Sequence, residues 1–236
     1  MLLLGKYGII NPQKKSSEFF MFEIDLFDNN KKPNILCLGA HSDDIEIGCG
    51  GTILRLIEEL PKAKFLWIVF SGNKLRNKEA KKSASNFLKK NQVKQVVVHN
   101  FRESYFPFIG AEIKDCFEQI KIEFNPDIIF THYGSDLHQD HELISKLTWN
   151  TFRNHFILEY EIPKYDGDLG SPNFFVHLDD SFVQKKINYL CKIFQTQKKK
   201  LWFSEESFRS LMRIRGLESN SLTSYSEAFY CRKMVF

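Results

Sequence analysis

From residue 34 onward, apolar and polar positions fall into blocks of two kinds. Short, continuously apolar runs occur at 35–38 (Ile-Leu-Cys-Leu), 65–70 (Phe-Leu-Trp-Ile-Val-Phe), 96–98 (Val-Val-Val) and 128–130 (Ile-Ile-Phe). Runs of this length suit strands buried on both faces, as in a parallel sheet. Between them the apolar residues form helical stripes: Ile53, Leu56, Ile57 and Leu60; then Ala80, Ala84, Phe87 and Leu88; then Ile113, Cys116, Phe117, Ile120 and Phe124. Steps of three and four residues give each stripe one buried face. Strands alternating with such helices predict an α/β fold, Rossmann-like, with a mostly parallel sheet flanked by helices.

The order loosens after about residue 158. A stretch rich in Tyr, Pro, Gly and Asp (160–172) predicts a long loop, 174–178 a further strand, and Val183, Ile187, Leu190, Cys191 and Phe194 one face of another helix. This last third is expected to complete the domain and shape the substrate pocket. Residues 1–32 lack periodicity and lead into a turn-rich Asp28-Asn-Asn-Lys-Lys-Pro33. They read as an N-terminal arm that packs on the domain or on a partner subunit, which makes a homo-oligomer an expectation. Residues 33–236 read as one domain, which the length of 236 residues accommodates.

Composition narrows the class. Hydrophobic residues at 43% and charged residues at 26% are ordinary for a globular chain. The net charge of +4 sits in clusters such as Lys31-Lys32, Lys81-Lys82 and Lys198-Lys199-Lys200. Such a field suits an anionic substrate, a nucleotide- or phosphate-linked sugar for example, although solvated surface is the commoner use of lysine runs. No basic stripe is interleaved with aromatics, which argues against nucleic acid as a partner. Five scattered cysteines without a CxxC pair fit a reducing compartment and argue against a disulfide framework or a cysteine zinc site. The opening Met1-Leu-Leu-Leu run is short for a signal peptide. No apolar run approaches the roughly 20 residues of a membrane span, so a cytoplasmic protein is expected.

In open α/β sheets, ligands bind at the carboxyl ends of strands. Two polar clusters fall there: His41-Ser42-Asp43-Asp44-Ile45-Glu46 after the first strand, and Asp136-Leu137-His138-Gln139-Asp140-His141 after the 128–130 strand. Imidazoles and carboxylates are zinc donors, and a catalytic zinc site takes three of them and leaves one position open. The two clusters hold more acids and imidazoles than that, as a hydrolase with a separate general base requires. Gly48-Cys49-Gly50-Gly51 matches neither GxGxxG nor a Walker loop; these glycines are read as letting the backbone pass close to the metal pocket.

The stretch from His41 to Thr52 resembles the AHPDD-x-E-x-GCGGT signature of the PIG-L/LmbE-like deacetylases. Asp136-x-His138-x-Asp140-His141 is similar to the second signature of that family, D-x-H-x-DH. Arg76-Asn-Lys-Glu79-Ala80 resembles its R-x-x-E-A helix start, and Tyr225-Ser226-Glu227-Ala228-Phe229 its AEAF segment. The ordered set covers about residues 34–230.

The resemblance implies zinc-dependent N-deacetylation of an N-acetylglucosamine-type sugar, with one Zn2+ per chain. By position it implies His41, Asp44 and His141 as metal ligands and Asp43 as general base. It further implies His138, oriented by Asp140, as oxyanion stabiliser, and Arg76 and Glu103 as substrate contacts. Ser42 departs from the family's usual proline, Glu103 from its more usual aspartate, and Asp136 stands where some members carry a tyrosine. The same donors bind other divalent metals, so zinc is a preference. An amidase acting on a non-sugar amide or thiol conjugate would use the same residues, and a non-catalytic metal-binding protein would use part of them. Glu46 is expected behind the ligands, orienting one of them or fixing the loop. His132, which ends the strand before the second cluster, is expected to be a hydrogen-bonded structural imidazole.

Overall fold

The computed structural model describes residues 32–235. The arm expected at 1–32 lies outside them, apart from its last residue. Five strands run parallel in the order β3-β2-β1-β4-β5, where β1 is Asn34–Gly39, β2 Lys64–Ser71, β3 Val93–Phe101, β4 Ile128–His132 and β5 Phe156–Tyr160. Two more strands, β6 (Phe174–Leu178) and β7 (Tyr225–Tyr230), extend the β5 edge antiparallel, in the order β5-β7-β6. The sheet is therefore mostly parallel, as the apolar runs predict.

The pleat of the strands sorts the core into two halves. Ile35, Cys37, Phe65, Trp67 and Val69 face one layer of helices: α1 (Asp44–Glu59), α2 (Lys74–Phe87), α5 (Asp180–Ile193) and α6 (Glu205–Glu218). Leu36, Leu38, Leu66, Ile68 and Phe70 face the other layer, α3 (Gly110–Glu123) and α4 (Gln139–Thr151). Residue-by-residue alternation within wholly apolar runs is the reason those runs have no polar positions. β3 differs from its expectation: it is an edge strand with a half-exposed face, and only β2 pairs with it.

Four elements were not legible as periodic segments. The α4 helix buries Asp140, His141, Ser145, Thr148 and Thr151 beside Ile144, so its inner face is polar and leaves no apolar stripe. The α6 stripe of Phe208 and Met212 is broken by buried Arg215. β5 carries buried Glu159 within an otherwise apolar strand, and β7 carries buried Ser226 and Glu227. The predicted loop is irregular over 161–173, as expected. Among the described residues no helix is long and apolar enough to cross a membrane.

Chain order reverses between β1 and β4: β1 leads outward to β2 and β3, and β4 leads the other way to β5. That switch opens a crevice at the strand ends, and both polar clusters start from the two strands that flank it.

Candidate active site

The turn after β1 is fixed from both sides. Ala40 N–H donates to His132 Nε2 of β4 (2.9 Å), and the Ala40 carbonyl accepts from the Ser71 N–H (2.9 Å) and hydroxyl (2.7 Å) at the end of β2. His41 N–H donates to Asp44 Oδ2 at 2.6 Å. Asp43 occupies the N-cap position of α1, yet its side chain makes no capping bond. Its carboxylate is turned instead onto Arg76, whose Nη2 donates to Oδ1 at 2.6 Å.

The glycine run breaks α1. Cys49 leaves helical geometry (φ −139°, ψ 17°), which leaves carbonyls before it and N–H groups after it without intrahelical partners. Two buried charges from the last third of the chain fill both gaps. The Glu227 carboxylate accepts from Gly51 N–H (2.8 Å) and Thr52 N–H (2.6 Å), and Lys186 Nζ donates to the Ile47 carbonyl and to Glu227, both at 2.6 Å. An added Cβ at Gly48 would meet the buried Tyr160 ring at 2.1 Å, and one at Gly51 would meet Leu178 at 2.5 Å. The glycines thus let α1 bend tightly against β5 and β6 and point its first turn into the crevice.

Donor atoms converge at that first turn. His41 Nδ1 lies 3.1 Å from His141 Nε2 and 3.3 Å from Asp44 Oδ2, and His141 Nε2 lies 3.5 Å from the same oxygen. Those separations match the edge of about 3.3 Å of a tetrahedron with bonds of about 2.0–2.1 Å, the usual zinc geometry. Two overlapping sets of donors, His41/His138/His141 and Asp44/His132/His141, each fall within 4.8 Å. His132 is the less available of these: its Nε2 accepts from Ala40 N–H, and the Tyr160 hydroxyl and Asp44 Oδ2 each lie 3.2 Å from it. Its ring stacks under His141 at 4.0 Å, as a hydrogen-bonded structural imidazole would.

The charges of this cluster suit a cation. Burial pushes the His41 imidazole down, but the Asp44 and Asp140 carboxylates outweigh it and raise it to about 10. Asp44 is displaced well below the usual carboxylate range; burial alone would raise it, and the three imidazoles of His141, His41 and His132 overcome that. The Asp43 carboxyl moves the other way. Burial raises it, Arg76 opposes, Asp44 adds to the rise, and His41 and Lys200 pull it back.

Arg76 and Glu103 are brought together on this side of the crevice. Arg76 is buried, and its Nη1 lies 3.3 Å from each Glu103 carboxylate oxygen while Nη2 holds Asp43. It is therefore not an exposed helix residue but a bridge between two carboxylates. Glu79, one turn later on α2, turns away and accepts from Thr196 N–H and hydroxyl (3.0 and 2.6 Å).

On the opposite side, Asp140 departs from the role its position implies. Its carboxylate does not reach the His138 ring; it accepts from Ser104 N–H (2.6 Å) and Phe106 N–H (3.1 Å) and lies 3.2 Å from His41 Nε2. The bond to His138 comes from the Asp140 backbone, whose N–H donates to His138 Nδ1 at 3.2 Å. With Nδ1 accepting, a neutral His138 carries its proton on Nε2. Burial and the nearby His41 charge lower the His138 pKa and favour that neutral form.

Asp136, in the position where some members carry a tyrosine, receives His141 Nδ1–H at 2.9 Å through Oδ2 and His138 N–H at 2.8 Å through Oδ1. A carboxylate on the far nitrogen of an imidazole fixes its tautomer and orientation. Lys164, from the 161–173 loop, lies 3.1 Å from Asp136 Oδ2 and also pairs with Asp168, which accepts Leu137 N–H at 2.8 Å. Glu46, by contrast, is buried without a hydrogen bond on either carboxylate oxygen, so it holds none of the donor side chains.

Lys164 and Lys186 are partners that sequence reasoning did not assign, whereas Glu227, read from the sequence as structural, holds the α1 backbone. Lys186 had a signal: it lies three residues after Val183 and one before Ile187, a cation on the apolar face of α5. Lys164 had none, because its loop has no period.

Comparison with known proteins agrees with this geometry. Residues 36–152 match the family profile "PIG-L: GlcNAc-PI de-N-acetylase". The chain is 29% identical over 144 residues to the Escherichia coli K12 protein "Uncharacterized deacetylase YaiS", covering 57% of this chain and 76% of that one. Its fold is similar to the N,N'-diacetylchitobiose deacetylase of Pyrococcus horikoshii, with a TM-score of 0.60 and 20% identity over 87% of each chain. It is equally similar to a protein of different chemistry, the 4-carboxy-2-hydroxymuconate hydratase GalB of Pseudomonas putida KT2440, with a TM-score of 0.63 and 15% identity over 86% of this chain and 98% of that one. Such distant likeness shows the fold, and function has to be argued from the site. With both signature loops in the crevice and the profile spanning the strands that carry them, residues 36–152 form a PIG-L-type domain, and the chain is an N-deacetylase of that type, a hydrolase that releases an acyl group from an amide nitrogen.

Proposed function

We propose that the chain is a zinc-dependent deacetylase that removes acetyl from an N-acetylglucosamine-type amino sugar. The observation that supports this most is the triangle of His41, Asp44 and His141 donors at 3.1–3.5 Å, with a second buried acid, Asp43, next to Asp44. His41, Asp44 and His141 would hold the metal. When bound, zinc supplies a Lewis acid that acidifies water and draws electron density from the amide carbonyl.

Asp43 takes the proton of the attacking water and returns it to the leaving nitrogen. Burial raises its carboxyl toward the range in which one group does both. Arg76 fixes Oδ1 at 2.6 Å, so Oδ2 is the oxygen for water. His138 presents Nε2–H to the carbonyl oxygen as it gains charge, a preorganised donor whose orientation the Asp140 N–H sets. Asp136 keeps His141 with Nε2 unprotonated toward the metal. Arg76 and Glu103 line the approach to Asp43 and are the polar groups nearest to an incoming sugar.

The test pairs elemental analysis with acetate release from a panel of N-acetyl sugars. The wild-type chain is expected to hold one zinc. Asp43→Ala is expected to keep the metal and lose about 10²–10⁴ in turnover, the usual share of a general base; His41→Ala is expected to lose both. Near-normal turnover of Asp43→Ala rules out the base assignment. Bound zinc with no acetate from any sugar would point to another amide as the substrate.

A further inference from the structure

Asp140 is fully buried in the first turn of α4, and its two oxygens serve partners on two separate elements. Oδ2 accepts from Ser104 N–H at 2.6 Å and lies 3.2 Å from His41 Nε2, while Oδ1 accepts from Phe106 N–H at 3.1 Å. The loop held in this way, 102–106, is bent at Ser104, whose φ of 67° lies in the left-handed region. A residue with a Cβ is strained there and keeps that conformation only where its surroundings fix it. Here they do: Asp140 takes the Ser104 N–H, and Gln139 Nε2 donates to the Ser104 carbonyl at 2.5 Å. The Phe106 ring, fully buried, stacks on the His41 imidazole at 6.2 Å.

Two lines of contact leave this one carboxylate. The first is direct. His41 Nδ1 faces Asp44 Oδ2 and His141 Nε2, so Nε2 is its far nitrogen. A carboxylate at the far nitrogen keeps the proton there and leaves Nδ1 bare for a metal. The second line runs through the bend at Ser104, which leaves the preceding residue, Glu103, 3.3 Å from Arg76 Nη1; Arg76 Nη2 in turn holds Asp43. The His138 ring lies on neither line. Its bond is to the Asp140 backbone N–H, which a different side chain at position 140 leaves in place.

We propose that the Asp140 carboxylate is a positioning group for His41 and for loop 102–106 together, acting on the metal ligand and on the Glu103–Arg76–Asp43 line rather than on the oxyanion donor His138. This rests on the reading above, in which His41 is a ligand and Asp43 the base.

Asp140→Asn tests it. The amide keeps the size and the backbone N–H but has one acceptor oxygen, so one loop N–H loses its partner. Its N–H can also face His41 Nε2, which shifts the imidazole proton onto Nδ1. Zinc affinity, read by competition with a chelator, is expected to fall by about 10–100-fold. The factor should be the same in a His138→Ala background, because the two side chains act independently. Amide hydrogen exchange at Ser104 and Phe106 should quicken in the same variant. Unchanged zinc affinity, or a loss that disappears in the His138→Ala background, overturns the proposal and returns Asp140 to His138. If the wild-type chain binds no zinc, the ligand reading fails instead, and exchange alone decides: faster exchange supports the loop anchor, and unchanged exchange overturns it. Should Asp140→Asn not fold, nitrogen-15 NMR of the zinc-loaded wild-type chain decides. A slowly exchanging proton on His41 Nε2 supports the proposal, and a bare Nε2 overturns it.

Discussion

The two ends of the sheet contribute to the crevice in different ways. The parallel end, β1 to β4 with the loops and helices that follow, supplies every donor in the cluster: His41, Asp43, Asp44, His138, Asp140 and His141. The antiparallel end, β6 and β7 with α5 and α6, adds no donor to that cluster among the described residues, yet Lys186 and Glu227 reach across to the broken turn of α1. The first region gathers donor side chains on a backbone that cannot satisfy itself, and the second satisfies that backbone. A helix bent sharply enough to aim Asp44 into the crevice has orphaned N–H and C=O groups, and burying them unpaired costs free energy. A carboxylate and an ammonium from a distant part of the chain meet that cost, each also neutralising the other.

The comparison is broken most directly at Glu227. Glu227→Gln leaves the Lys186 ammonium buried without its counter-ion, a loss of about 3–5 kcal/mol when one member of a buried pair is removed. Urea denaturation should show it, with folded protein recovered at low temperature for the measurement. Adding Lys186→Met removes the stranded charge, so the double variant should be more stable than Glu227→Gln alone. A loss under about 1 kcal/mol for Glu227→Gln would mean that the break in α1 is held by other contacts.

Gly48→Ala tests the same bend from inside the helix. Its Cβ would fall 2.1 Å from the Tyr160 ring, a fully buried side chain that cannot swing aside. Overpacking of this kind costs about 1–3 kcal/mol. The Tyr160 hydroxyl donates to the Leu38 carbonyl at 2.6 Å and lies beside His132. The substitution should therefore lower metal affinity as well as the midpoint of unfolding, where a purely packing defect would move the midpoint alone.

This division also explains what was legible. Strands β1, β2 and β4 and helices α1 to α3 bury apolar residues at strict periods, and the two signature clusters follow strands that the periods locate. The helix that carries His141 hides behind its polar inner face, and the pairings that complete the site join residues far apart in the chain, such as Gly51 with Glu227 or Asp136 with Lys164. No local period encodes such pairs. Position within a signature carried His41, Asp44 and His141 to one point, but it misplaced the Asp140 carboxylate, because the residue that loop 102–106 would offer to Asp140 is a backbone N–H and leaves no trace in composition.

A smaller effect is expected at Lys164, where the later part of the chain reaches Asp136 behind the donor cluster. Lys164→Met leaves His141 with Asp136 but removes the cation that holds Asp136 and Asp168 together. Partners behind a metal ligand typically change metal affinity by 10–100-fold; with Asp136 retained, about tenfold is expected, read by competition with a chelator. The unfolding midpoint of the metal-stripped chain should hardly move, which separates this residue from Glu227.

Glu46 sharpens the contrast most finely, because it is the parallel end's counterpart of Glu227: a buried acid, but with no cation and no hydrogen bond on its carboxylate among the described residues. Burial raises its carboxyl well above the ordinary value of 4.5. A folded-state pKa above the unfolded one means that ionisation favours the unfolded chain. The stability Glu46 allows is complete at acid pH and is lost as pH rises through the window above about 4.5. Glu46→Gln cannot ionise, so its stability relative to wild type should rise between pH 5 and pH 8, and urea unfolding at the two values measures the difference. A difference that stays flat with pH would show that Glu46 has a partner for its charge after all, and that both ends of the sheet handle buried acids alike.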